Sequence, residues 1–280
     1  MSDPGLFTGS GFVGFAISLS LCGVSIAQAI FYYRAFPHDG RTKKLIVLLV
    51  TIADIAHTTV VGHMFSEVLV HSRLLGVDTS TFPATSVSTP WQIQVSFTLL
   101  AFTVAFVQGF LCLRVWRVSR NNVVLVFIII ASALTTFGVL IYCAVDPTPQ
   151  DVKFNPATYP IARVPFAAAL VCDGTIAASL TYYFNSYRTG MPRTEPVIQQ
   201  LIWLSMSTGV MVCLMEVVAW TLFELDSEHR SVLAPLFIVG KLYVNTMMAN
   251  LNSRRHFRTV VDRSMDLSFN NVFDTKLATD

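Results

Sequence analysis

VLAPLFIVGKLYVNTMMANL, residues 232–251, is the stretch that decides the fold: it is almost wholly apolar, with one lysine, Lys241, at its centre. As a helix, about twenty apolar residues cross the ~30 Å hydrocarbon core of a bilayer. An ionisable side chain inside such a helix is costly to bury and needs a partner. The sequence therefore predicts a membrane-spanning helix here, and an acidic residue at the same depth elsewhere in the chain.

The composition of the whole chain agrees with a lipid environment. Of its 280 residues, 53% are hydrophobic and only 13% are charged, whereas soluble domains have about 25% charged residues. The net charge is only +2, and the basic residues gather in short clusters between apolar runs. We therefore expect the lipid bilayer to be the main partner, and we expect no nucleic-acid surface.

Seven apolar runs of spanning length predict an all-α membrane protein, a seven-transmembrane helical bundle in one domain, residues 1–253. The segment 254–280 mixes charges with serine and asparagine, which predicts a partly disordered tail. The predicted spans are 11–33, 45–70, 91–115, 123–145, 159–187, 197–223 and 232–251.

The distribution of lysine and arginine predicts how the bundle lies in the membrane. Fourteen of these residues fall on the side reached after spans 1, 3, 5 and 7, four fall on the other side, and Lys241 lies within a span. Positive charge is enriched on the cytoplasmic side of membrane proteins. We therefore expect an outside amino terminus and a cytoplasmic tail, in the plasma membrane or another membrane of the secretory pathway.

The depth of the charged residues predicts which of them meet. Lys241 lies eleven residues above Asn252, and Asp54 lies ten above Lys44. At about 1.5 Å per residue, both are about 15 Å from the cytoplasmic boundary. A carboxylate at that height is the cheapest partner for the buried ammonium, so we predict that Asp54 faces Lys241, with Asp173 as the second candidate.

Other polar side chains lie near the same level: Gln108 of span 3, Asn245 one turn below Lys241, and His57 close above Asp54. Connected in one network they would satisfy one another, whereas isolated groups would each be costly. We predict that these groups and the charged residues form a polar intramembrane ligand site. The alternative is that they only fix helix packing and register.

A second polar set lies nearer the outside. His63 and Glu67 are four residues apart on one helix face, as are Glu216 and Trp220. Together they predict a water-filled cavity open to the exterior. His57 and His63 are six apart and face different directions, so no metal-ligand spacing is present and no metal is predicted.

A lysine in the last span also suggests a retinal Schiff base. Microbial rhodopsins have an aspartate four residues before that lysine and carboxylates in span 3, but this chain has Phe237 there and no acidic residue in residues 91–115. Rhodopsin-like receptors have Asp-Arg-Tyr after span 3 and Asn-Pro-x-x-Tyr in span 7, but those places here read LRVWRVS and LYVNTMMANLNSR. We therefore predict no retinal and no other cofactor.

The segment KLYVNTMMANLNSR resembles the last span of a large family of seven-span membrane proteins of mushroom-forming fungi, a domain of unknown function. The turn YYRAFPHDGRTKK and a span 2 with Asp54 and His57 also fit that family. The resemblance implies the seven-span fold and the orientation, but no activity. The residues that match its final motif are Lys241, Tyr243, Asn245, Leu251, Asn252 and Arg254.

Three functions are compatible with these patterns. A receptor or sensor, with a small-molecule ligand outside and a protein partner in the cytoplasm, suits seven spans with short loops and a basic inner face. A proton, ion or small-molecule transporter would use Asp54, Asp173 and Lys241 as a relay, although no inverted repeat is visible. A membrane-embedded enzyme for lipid-like substrates is the third, but no catalytic motif is present, so we predict no enzyme.

Overall fold

A computed structural model describes residues 4–74, 91–145, 163–188, 195–225 and 231–277. In these ranges the chain forms α-helices and no strand, as the apolar runs predict. The helices are α1 Pro4–Ala35, α2 Arg41–Leu74, α3 Trp91–Val118, α4 Val123–Val145, α5 Val164–Ser186, α6 Glu195–Leu225 and α7 Leu233–Leu277.

The first six helices, α1 to α6, are long and apolar enough to cross a membrane. Their outward faces carry large exposed hydrophobic side chains, such as Leu49, Phe106, Phe127 and Trp203. A soluble protein does not expose apolar surface on this scale. The protein is therefore a multi-pass membrane protein.

Helix α7 differs from the other six in where its apolar residues point. It packs against α1, α2, α3 and α6, and between Val232 and Leu251 it has no exposed large hydrophobic side chain. Its polar residues give it a lower average apolarity, and it is not among the six candidate spans found in the described residues. Its surroundings are other helices rather than lipid, so a seventh crossing remains a prediction.

The helices pack in chain order, each on the next, and α7 closes the bundle against α1. Most of the buried apolar residues form one core that runs through the bundle and includes Tyr32, Val107, Ile129 and Val244. One end of the bundle carries most of the basic side chains, and we call it the basic end. Its described basic residues are Arg34, Arg41, Lys43, Lys44, Arg114, Arg117, Arg120, Arg188, Arg254 and Arg255.

The helix ends extend beyond most of the predicted spans. Helix α1 ends at Ala35 and α2 begins at Arg41, because helical hydrogen bonding continues past the apolar run into polar residues. Helix α5 instead begins later than its predicted span, at Val164, with Pro165 in its first turn. Proline is favoured there since its missing N–H has no partner to lose. Helix α7 runs on to Leu277, through most of the segment that the sequence assigned to the tail.

Candidate functional site

Lys241 and Asp54 form an ion pair in the middle of the bundle. Lys241 Nζ lies 2.7 Å from Asp54 Oδ1 and also donates to the Asp54 carbonyl oxygen at 2.7 Å. The side chains are only 1% and 2% exposed. Ser25 Oγ of α1 donates to the other carboxylate oxygen at 2.5 Å. The predicted contact is confirmed, and it joins α7 to α2 and, through the serine, to α1.

Two neighbours of this pair bond elsewhere. Asn245 donates to the carbonyl oxygen of Lys241, in its own helix, at 2.8 Å. It also donates to the carbonyl oxygen of Leu21 at 3.1 Å, and this second hydrogen bond joins α7 to α1. His57 Nε2 lies 3.0 Å from Ser96 Oγ of α3. The structure therefore places both residues beside the ion pair, and each of them also forms a side-chain contact with a neighbouring helix.

A second polar cluster lies on the other side of α7. The Tyr243 hydroxyl contacts Asp173 Oδ2 of α5 and lies 2.6 Å from Glu216 Oε1 of α6. Gln108 of α3 donates to the same hydroxyl at 3.4 Å. All four side chains are buried. We call Asp173, Tyr243 and Glu216 the acid cluster.

The acid cluster changes two of the sequence predictions. Asp173 was the second candidate partner of Lys241, and Glu216 was placed in an outer cavity with Trp220, but the structure brings the two acids together. The reason is the geometry of α7: residues 241 and 243 point about 200° apart around a helix of 3.6 residues per turn. Tyr243 therefore faces α5 and α6, while Lys241 faces α1 and α2.

The predicted outer residues occupy separate places. His63 Nδ1 and Glu67 Oε1 lie 3.7 Å apart on a partly exposed face of α2, and Gln92 of α3 donates to Glu67 at 2.6 Å. Trp220 donates to Glu224 at the far end of α6. Helix α2 packs on α1, α3 and α7, whereas α6 packs on α5 and α7. The four residues predicted to line one cavity are thus not brought together.

An aromatic layer separates the ion pair from His63 and Glu67. Phe15 of α1, Phe65 of α2 and Phe237 of α7 lie ring to ring, with centroids 5.4 and 6.4 Å apart. Phe237 also contacts the His57 ring. The ion pair is therefore covered on the side opposite the basic end.

At the basic end, Asp39 lies in the turn between α1 and α2 and forms polar contacts that were not predicted from the sequence. It accepts hydrogen bonds from Arg254 at 2.8 Å and from Tyr32 at 2.9 Å, and Lys43 lies 3.8 Å away. Bonding to the Arg254 guanidinium, ahead of the other causes, lowers the pKa of Asp39 from its ordinary value. The sequence does contain a signal for these contacts. The turn Pro-His-Asp-Gly places one acid next to helix ends that carry several basic residues.

Comparison with known proteins gives one match. Residues 169–256 match a family of unknown function, DUF6534. No curated protein and no solved structure matches the chain. The matched region carries several residues of the polar contacts described above, among them Asp173, Glu216, Lys241, Tyr243 and Arg254. Through this region, residues 169–256, the chain is similar to the family of unknown function DUF6534.

Proposed function

We propose that the protein is a receptor- or sensor-like membrane protein with seven crossings, an outside amino terminus and a cytoplasmic tail. The observation that carries the proposal is the fully buried Lys241–Asp54 pair. Charges at this depth are expensive, and they are the default markers of an intramembrane functional site. The concentration of basic residues at one end supports the orientation. The proposal assigns no catalytic residue and no cofactor.

The mechanism is a switch between a paired and a separated state of Lys241 and Asp54. The Lys241–Asp54 pair ties α7 to α2 in the middle of the bundle, while Arg254 and Asp39 tie α7 to the turn between α1 and α2 at the basic end. A ligand that binds the separated state more tightly shifts the population toward it. Movement of α7 then changes the surface offered to a cytoplasmic partner.

Pulsed electron paramagnetic resonance tests this switch. Nitroxides are placed at the exposed positions Val123 of α4 and Arg255 of α7, both at the basic end of the bundle, in a cysteine-depleted chain in nanodiscs. We expect one distance in the parent and a second, shifted distance in Lys241→Met and in Asp54→Asn, because each leaves a buried charge without its partner.

The control is Arg163→Gln, which breaks an ion pair between the start of α5 and the end of α6 that is 40% and 36% exposed. It should leave the distance distribution unchanged. A distance distribution like that of the parent in both Lys241→Met and Asp54→Asn would contradict the switch. The receptor role would be contradicted if cells with well-expressed Lys241→Met or Asp54→Asn responded to every tested extracellular signal as the parent does.

A proton or ion transporter is the second candidate, and the acid cluster favours it. Two carboxyl groups in the core of a membrane protein are typical of ion pathways. The relay predicted from Asp54, Lys241 and Asp173 is not continuous, however, since Asp173 contacts Tyr243 on the opposite side of α7. Proteoliposomes loaded with a pH-sensitive dye separate the two functions: transport predicts a flux that Asp173→Asn abolishes, and a receptor predicts none.

A further inference from the structure

We propose that the acid cluster is a proton-binding site that exchanges its proton with the solution at the basic end of the bundle. The site does not involve Lys241, and the inference holds whether the protein signals or transports. Four observations carry it: the hydrogen-bond count in the cluster, a crevice beside it, unpartnered buried oxygens and the charges along the route.

The cluster needs two hydrogens for its two contacts. Two ionised carboxylates and a tyrosine provide only one, on the tyrosine hydroxyl. The Tyr243 hydroxyl contacts an oxygen of Asp173 and an oxygen of Glu216, but it has a single hydrogen to donate. The second contact is attractive only if a carboxylic O–H donates to the tyrosine oxygen. Two carboxylates sharing one site do not both ionise readily. One of the two acids therefore holds a proton.

A narrow crevice runs from the cluster toward the basic end, between α3, α5, α6 and α7. It begins beside Asp173 and Tyr243 and reaches Arg114 and Asn250, which contact each other. Seven residues of α7 separate its ends, which is about 10 Å at 1.5 Å per residue. Its volume is about 20 Å³, and one water needs roughly 10–15 Å³. The crevice therefore has room for a water molecule.

Unpartnered polar atoms indicate where that water binds. Ser205 lines the crevice, is 4% exposed, and its hydroxyl has no hydrogen-bond partner in the described structure. One side-chain oxygen of Glu216, in the cluster, and one of Gln108, next to it, also have no hydrogen-bond partner in the described structure. Buried polar atoms without partners are costly, and internal water is their usual partner.

Proton release follows from this arrangement. The O–H bond of the protonated acid breaks, its electron pair stays on the carboxylate, and the proton passes to water in the crevice. Arg114 at the far end attracts the anion that remains and keeps other cations out. Two thiols lie near the acids of the cluster, Cys172 of α5 and Cys213 of α6, and Cys112 of α3 lies near Cys172.

Infrared spectroscopy of the full chain in nanodiscs tests the proton itself. We expect a carboxylic-acid carbonyl band at neutral pH that shifts in D2O. The band should be lost in the double variant Asp173→Asn/Glu216→Gln and displaced in Tyr243→Phe, which removes the shared hydroxyl. Lys241→Met should keep the band, so failure of this site is distinguishable from failure of the receptor proposal.

The rate of the D2O shift tests the route. Ser205→Leu fills the crevice and should slow the exchange by about tenfold or more, as a higher barrier to water entry predicts. The matched control is Ser207→Leu, two residues along the same helix, where the serine hydroxyl already bonds to the Leu204 carbonyl. If Ser205→Leu does not fold, Ser205→Val serves in its place.

Three results overturn the proposal. The first is the absence of a carboxylic-acid band, or a band that the double variant keeps. The second is an equal rate of the D2O shift in Ser205→Leu and Ser207→Leu, which would show that the proton does not exchange through the crevice. The third is loss of the band when sodium chloride replaces choline chloride at constant pH, which makes the cluster a site for the metal cation instead.

Discussion

At the residue scale, the Lys241–Asp54 pair shows how a membrane interior accommodates a charge. The ammonium has a carboxylate and a carbonyl oxygen as acceptors, and the second carboxylate oxygen is held by Ser25. Desolvating two ions is costly, and only such complete bonding compensates for it. Removing one partner therefore harms the protein more than removing both.

Single and double variants test this asymmetry. Lys241→Met and Asp54→Leu should each lower the free energy of unfolding by about 3–5 kcal/mol, because each leaves a charge buried alone. The double variant should lose less than either single variant. Denaturant titration in mixed micelles measures all three, with Arg163→Gln expected within about 1 kcal/mol of the parent since its ion pair is partly exposed. Additive losses in the double variant would contradict the prediction.

Asp39 gives a pH dependence with a definite sign. Its pKa is lowered in the folded protein, so its contribution to stability is complete above the pKa of an unfolded aspartate, about 3.9. That contribution is lost as the pH falls through the lower folded value. We expect hydrogen exchange in the turn at residues 36–40 to rise in this acid range. Asp39→Asn should remove that rise, and a pH profile identical to the parent would argue against it.

At the element scale, α1 and α7 approach closely because small residues meet. A Cβ on Gly14 would lie only 2.6 Å from the Ala234 Cα, whereas a Cβ on Gly23 of the same helix would meet nothing within 4 Å. Small residues allow helix backbones this proximity in membranes. Small residues repeat every four positions along α1, and Gly14 is the one where α7 comes this close; they are Ser10, Gly14, Ser18 and Cys22.

The two glycines of α1 form a matched pair for mutation. Gly14→Ala should push α1 away from α7 and cost about 1–3 kcal/mol, as overpacking does. Gly23→Ala should cost nothing or stabilise slightly, because alanine is the better helix former. Thermal unfolding of both variants measures the difference. Equal effects at the two positions would show that the close approach does not matter.

Depth along a helix was predictable from the sequence, but direction around it was not. Lys241 and Asp54 were paired correctly because opposite charges at equal height need each other, and height follows from residue counting. Tyr243 and Glu216 were not paired, since a neutral phenol offers no charge that a carboxylate would have to balance. Glu216 also lies four residues from Trp220, and that spacing wrongly suggested a common outward face.

At the scale of the whole molecule, α7 separates two of the buried polar sites in the described part of the bundle. The ion pair lies toward α1 and α2, and the acid cluster lies toward α5 and α6. The existence of the helices did not require the structure, because each described helix overlaps an apolar run of the sequence. The separation of the sites did require it, since it depends on how the last helix is rotated.

The orientation of the whole chain is testable without a ligand. We expect an amino-terminal epitope tag to bind antibody on intact cells and a carboxyl-terminal tag to bind only after permeabilisation, because the basic end should face the cytoplasm. Permeabilised cells, in which both tags must react, serve as the control. A carboxyl-terminal tag that stains on intact cells would reverse the assignment of both ends.

The interior position of α7 has a consequence for biogenesis. A lysine at the centre of a nascent helix opposes transfer from the translocon into lipid by about 2.5–3.5 kcal/mol. Its carboxylate partner is made nearly two hundred residues earlier, in α2. We therefore expect α7 to enter the membrane only after the earlier helices, including α2, are already inserted next to it. In a chain synthesised with Asp54→Leu, α7 should fail to insert and the chain should be degraded.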